Sequence, residues 1–169
     1  MKDFDAWNEI KKLIEAMAYG PYCRKGEIRW CCFGLNIGSE QDGKNEWFER
    51  PVLIIKIINK DTVIGIPLSS IIDPDKDGIE IHYDGTACFA LFQHVKTVST
   101  KRFTRKITRL DKDQVRTIML AYVEFLGFKQ NETPLDADES LAGDHTTGIS
   151  GESRVLFNSD EPKGIMGTS

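Results

Sequence analysis

No apolar run in this chain approaches the roughly 20 residues that a membrane-spanning helix requires. The first residues, MKDFDAWNEIKK, are acidic and aromatic where a secretory signal needs an apolar stretch, so a cytoplasmic protein with no membrane contact is expected. The four cysteines (Cys23, Cys31, Cys32 and Cys88) form neither a CxxC pair nor a regular framework. Cys31 and Cys32 are adjacent in an expected strand and point to opposite faces, which argues against a shared metal site. Reduced thiols packed as small apolar groups are expected, with no metal and no cofactor. Internal repeats are absent too, so the chain reads as one domain of ordinary size with extra pieces at either end.

What is present is the composition of a packed globular core, 40% hydrophobic and 28% charged. The net charge of −4 hides an asymmetry. Residues 131–169 hold eight acidic side chains against two basic ones, a balance of −6, whereas the preceding residues, with 20 basic and 18 acidic, carry +2. Three regions follow: an N-terminal extension over 1–22, a main domain over 23–129, and an acidic tail over 130–169. The tail has no sustained period and is expected to be disordered, with one apolar cluster at Val155-Leu156-Phe157.

Phe4, Trp7, Ile10, Ile14 and Met17 recur at helical spacing and predict a helix over 3–18, stopped by Gly20-Pro21. From Glu27 the period changes. Segments 27–34, 51–58, 61–68, 79–83 and 86–92 are short, β-branched or aromatic, and divided by turn signals such as Asp84-Gly85. Successive short strands without helices between them predict a mainly β fold, a small antiparallel barrel or sandwich. A closing helix is marked by Asp111 as cap with Gln114 three residues on, an apolar face from Val115 to Leu126, and Gly127 to end it.

Arg50 opens a strand directly after the polar loop 38–49. Its planar five-donor fork suits a phosphodiester, and a surface pairing with Glu49 or Glu40 is the competing use. Ser69 and Ser70 end a strand, where hydroxyls either donate to phosphate or satisfy a turn. His94 follows an apolar strand and is a candidate general base or acid, or else bonds backbone at the rim. Lys96–Arg109 contains six basic residues, Lys101, Arg102 and Arg105 among them, with no acid between, the footprint expected for a phosphate backbone. Phe33 and Phe103 are expected in the core, while Trp47 and Phe48 lie in a polar loop and could stack unpaired bases, cover an interface or fold back. Asp73-Pro74-Asp75-Lys76-Asp77-Gly78 starts like a calcium loop, but Asp84 stands at the twelfth position and the flanks read as strands, so a hairpin connection is the better account.

Taken together, Glu27–Gly34, the loop Gly38-Ser39-Glu40-Gln41, Arg50-Pro51-Val52-Leu53, Pro67-Leu68-Ser69-Ser70, the late Gln93-His94-Val95-Lys96-Thr97 and Lys106–Leu110 fall in an order that resembles the MazF/PemK family of toxin–antitoxin ribonucleases. The resemblance covers about residues 24–127 and is closest to the branch with an added N-terminal helix. It implies an SH3-like antiparallel β-barrel with N- and C-terminal helices, a homodimer, and metal-independent cleavage of single-stranded mRNA, restrained by a cognate antitoxin protein. Arg50 matches the family's catalytic arginine, Ser69 its catalytic Ser/Thr, and Lys96 a position usually held by Arg. Ser39, Glu40, Gln41, Trp47, Phe48, Ser70, Gln93, Lys96, Lys101, Arg102 and Arg105 are the expected RNA-binding residues. Two departures stand out. The connection from Gln41 to Arg50 is longer than the usual one, and Gln93 replaces a common acid, leaving His94 as the substitute for acid–base work. A CcdB-like toxin that binds DNA gyrase without cutting, and an inactive RNA-binding relative, are the alternatives. The acidic tail could also shield the RNA surface.

Overall fold

The computed structural model describes residues 1–71 and 77–128. Asp3 caps α1 (Phe4–Ala16) by accepting the Ala6 amide at 2.9 Å. Trp7 is the buried residue of this helix. The chain leaves the helix at Met17, whose backbone is extended. No helix among the described residues is long and apolar enough to cross a membrane.

The five expected strands form as β1 (Glu27–Cys32), β2 (Glu49–Asn59), β3 (Thr62–Ser69), β4 (Gly78–Tyr83) and β5 (Thr86–Leu91). The basic stretch supplies two more, β6 (Lys96–Ser99) and β7 (Phe103–Arg109). All pair antiparallel in the order β4-β5-β3-β2-β1-β7, with β6 also on β3. β3 divides its outer edge: Thr62–Gly65 pair with β6, and Leu68 and Ser69 with β5. Register shifts within β1–β7 and β2–β3 add local twist. The result is barrel-like, but among the described residues the hydrogen-bonded path stays open between β4 and β7, so the sheet is not closed.

Both faces of β2 are buried, which is why its sequence reads as the apolar run Val52-Leu53-Ile54-Ile55 rather than an alternation. Leu53 and Ile55 join Ile28, Ile66, Leu68 and Phe92 in one cluster, and Val52 and Ile54 join Cys31, Phe33, Val63 and Phe103 in another. Each such side chain contributes about 1.5–3 kcal/mol on burial. Helix α2 (Lys112–Phe125) seats Val115 and Ile118 on the first cluster. Its capping box is complete: the Gln114 amide donates to Asp111 at 2.8 Å, and the Asp111 amide to the Gln114 side chain at 3.3 Å. Gly127, at φ +85°, turns the chain out of the helix.

All four cysteines are buried and free. Burial pushes the Cys31 thiol far above its ordinary pKa and those of Cys32 and Cys88 up to about 11, so they pack as neutral groups. The calcium-like residues 73–76 and the acidic tail lie outside the described residues. The segment that contains the former is flanked by strands β3 and β4.

Candidate active site

Arg50 stands near the start of β2, opposite Cys31 of β1. Continuing the register Val52↔Pro67 toward the strand ends brings Arg50 level with Ser69. Its side chain is only 5% exposed, held by Nε donating to the Asp42 carbonyl at 2.7 Å and Nη1 to the Leu68 carbonyl at 3.0 Å. Burial lowers its pKa and the Asp42 carboxylate opposes the shift, yet a guanidinium so placed remains a cation. Glu49 and Glu40 are not its partners. Glu49 instead accepts from the Thr104 hydroxyl at 2.7 Å and from Arg105 at 3.4 Å. Two sites on the fork are therefore spent on positioning, while Nη2 has no hydrogen-bond partner among the described residues.

Arg50, Ser69 and Ser70 line one pocket of about 200 Å³, together with Trp30, Asn45 and Tyr83. The Ser69 hydroxyl accepts the Ile71 amide at 3.1 Å, which is the turn role, and its own hydrogen is still available to donate. Ser70 is exposed. Arg105 lies 4.7 Å above the Trp30 ring, so it backs the pocket's aromatic wall.

The loop ahead of Arg50 is an ordered wall. The Asn36 amide donates to Asp42 at 2.7 Å, the Asn36 side chain to the Gln41 carbonyl at 2.6 Å, and the Gly43 amide to the Gly34 carbonyl at 2.7 Å. Lys2 reaches across from the N-terminus to pair with Asp42 at 2.7 Å. The longer connection closes on itself through Lys44 and Glu49, whose backbones exchange bonds at 2.8 and 2.7 Å. At the tip of that turn Trp47 is half exposed, whereas Phe48 folds back, edge-on to Trp7 at 5.6 Å. Ser39 and Glu40 are exposed, and Gln41 is half-buried.

His94 and Gln93 are not in the Arg50 pocket. They line a separate groove with Glu40, Gln41, Phe33 and Lys96. Lys96 donates to the Asn36 side chain at 3.2 Å, so a hydrogen-bonded chain Arg50–Asp42–Asn36–Lys96 joins the two places. The basic stretch is dispersed rather than one continuous face. Lys101 binds the Glu15 carbonyl of α1 at 2.9 Å, Arg102 binds the Cys32 carbonyl at 3.1 Å, and Arg109 binds the Lys25 carbonyl at 3.2 Å. Sequence reasoning missed Lys2, Asn36, Asp42, Trp30 and Tyr83. The first three act through backbone or loop contacts that carry no motif. The two aromatics did carry a signal, being aromatics near strand ends beside the pocket.

Comparison with curated protein sequences returns no match. Among solved structures, a crystal structure of MazF (form I) from Deinococcus radiodurans aligns with 65% of this chain and 99% of its own at 18% identity and a TM-score of 0.51. The MazE–MazF form II structure from the same organism aligns with 66% and 99% at 15% identity and a TM-score of 0.47. Mycobacterium tuberculosis toxin MazF-mt6 aligns with 62% and 99% at 14% identity and a TM-score of 0.47. Residues 24–126, more than half of the chain, match the family described as PemK-like, MazF-like toxin of type II toxin–antitoxin system, and the chain therefore belongs to that family.

Proposed function

We propose that this toxin is a sequence-selective endoribonuclease that cuts single-stranded mRNA in the cytoplasm as a homodimer, and that a cognate antitoxin restrains it. The observation that carries the proposal is the Arg50 fork, buried and immobilised on two carbonyls while lining an open pocket with Ser69 and Ser70. In the proposed reaction the RNA's own 2'-oxygen attacks phosphorus as the bond to the 5'-oxygen breaks. The products are a 2',3'-cyclic phosphate and a 5'-hydroxyl, and no metal is needed. Arg50 and Ser69 donate to the phosphorane oxygens, where negative charge grows. His94 lines a separate groove, so in the proposed reaction a water relays the 2'-hydroxyl proton toward it, and the departing 5'-oxygen takes a proton from solvent.

Purified protein incubated with mixed RNA in EDTA should cleave it, and Arg50→Ala should lower the rate by about 10²–10³-fold. Arg50→Lys, which keeps the charge and loses the fork, should fail as well, with an unchanged melting temperature excluding misfolding. Wild-type protein that leaves every RNA intact would favour a non-catalytic, gyrase-binding toxin. Replacing His94 with Gln should reduce cleavage by about ten-fold or more, at the low end of acid–base contributions, and alter its pH dependence. An unaltered rate would remove His94 from the mechanism.

A further inference from the structure

We propose that Lys2, which lies ahead of the family-matched residues 24–126, is a positioning residue for Arg50: it keeps the Asp42 carboxylate from capturing the guanidinium. This rests on the nuclease reading and concerns how that site keeps a donor free for phosphate.

Asp42 presents two competing acceptors to Arg50. Its backbone carbonyl takes Nε at 2.7 Å, and its carboxylate is near enough to act on the Arg50 charge. A carboxylate meeting a guanidinium forms a paired, charge-assisted contact that is stronger than a single bond to a carbonyl. Were the Asp42 side chain free, that contact would draw the fork aside and occupy Nη2, the nitrogen left without a partner among the described residues. Both carboxylate oxygens are instead engaged elsewhere. Oδ1 accepts the Asn36 amide at 2.7 Å, and Oδ2 takes Lys2 Nζ at 2.7 Å.

Lys2 does more than neutralise a charge. Nζ also donates to the Asn36 carbonyl at 2.7 Å and to the Gly38 carbonyl at 3.5 Å, so its three hydrogens meet three acceptors of one loop. The lysine is itself placed by its helix. It stands one residue ahead of the Asp3 cap, and α1 is seated by Trp7, which packs against Gly34 and Phe48 at the two sides of that loop. Lys101 fastens the far end of α1 through the Glu15 carbonyl at 2.9 Å. With side chains 32% and 27% exposed, the Lys2–Asp42 pair adds little to global stability, so its effect is local.

The test is steady-state cleavage of a labelled RNA by the full chain in EDTA, read together with the Arg50 Nε–H resonance, which is identified by its loss in Arg50→Lys. Lys2→Gln should lower kcat by about ten-fold, less than the about 10²–10³-fold of losing a donor outright. KM should stay within about two-fold while the resonance moves. Adding Asp42→Asn to Lys2→Gln should restore most of the rate, because the amide keeps the backbone carbonyl for Nε and has no charge with which to compete for the fork. A merely structural pair predicts the reverse, a further loss. Lys12→Gln, which breaks the exposed Lys12–Glu9 pair on α1, should change none of these. If Lys2→Gln melts early, Lys2→Met, which keeps the aliphatic stem and removes the ammonium, is read in its place. Unchanged kcat, a fall in kcat with an unmoved resonance, or a double variant no faster than Lys2→Gln overturns the proposal. A rise in KM at constant kcat also overturns it, since Lys2 would then bind RNA itself. Wild-type protein that cuts no RNA refutes the nuclease, and the resonance in Lys2→Gln then decides alone whether Lys2 governs the fork.

Discussion

Gly34 has a backbone φ of +92°, and a β-carbon there would lie 2.4 Å from the Trp7 ring. Only glycine satisfies both the conformation and the close approach. Trp7 in turn braces Phe48 and backs Arg102, so one missing side chain decides where α1 sits. Gly34→Ala should destabilise the protein by about 1–3 kcal/mol, the range for overpacking a filled site. Thermal denaturation reads this directly, and an unchanged midpoint would mean that α1 is not seated as described. Arg50 makes the same point from the functional side. Its chemistry was legible as a fork before a strand, but its burial and its bond to the Asp42 carbonyl were not. A main-chain acceptor eight residues away has no side-chain signature.

At the level of elements, helices and strands were the most legible part because their periods are local. The Asp111–Gln114 pair marked the start of α2 in sequence and forms the complete box in three dimensions. Asp111→Ala should therefore cost about 1 kcal/mol, measured by urea denaturation. A loss near zero would show that the tertiary seat of Val115 and Ile118 alone holds the helix. The stretch Lys96–Arg109, read in sequence as a footprint for a phosphate backbone, is divided among several elements. It is broken into β6, a 3₁₀ turn that holds Lys101 and Arg102, and β7, in which strand alternation sends Arg105 and Lys106 to different sides. Lys101 then fastens α1, Arg105 supports Trp30, and Lys96 and Arg102 share a cleft.

For the whole molecule, the proposed homodimer makes a plain prediction: sedimentation should report twice the 19.1 kDa chain mass at micromolar concentration. A species of single-chain mass that still cleaves RNA would refute it. Fold class, strand order in sequence, the start of each helix and the identity of Arg50 and Ser69 as candidates were determined by the sequence itself, whereas α1 ends at Ala16, short of the expected Gly20-Pro21 stop. Those properties rest on side-chain period, turn chemistry and a motif order that survives without coordinates. Tertiary structure alone decided that the sheet stays open among the described residues, that Arg50 and Ser69 share a pocket from which His94 is absent, and that Trp7 walls a cleft with Lys96 and Arg102. The physical reason is distance along the chain: these contacts join residues whose meeting depends on which strand edges pair. Each pairing is settled by the simultaneous burial of both faces of β2 rather than by any short stretch of sequence.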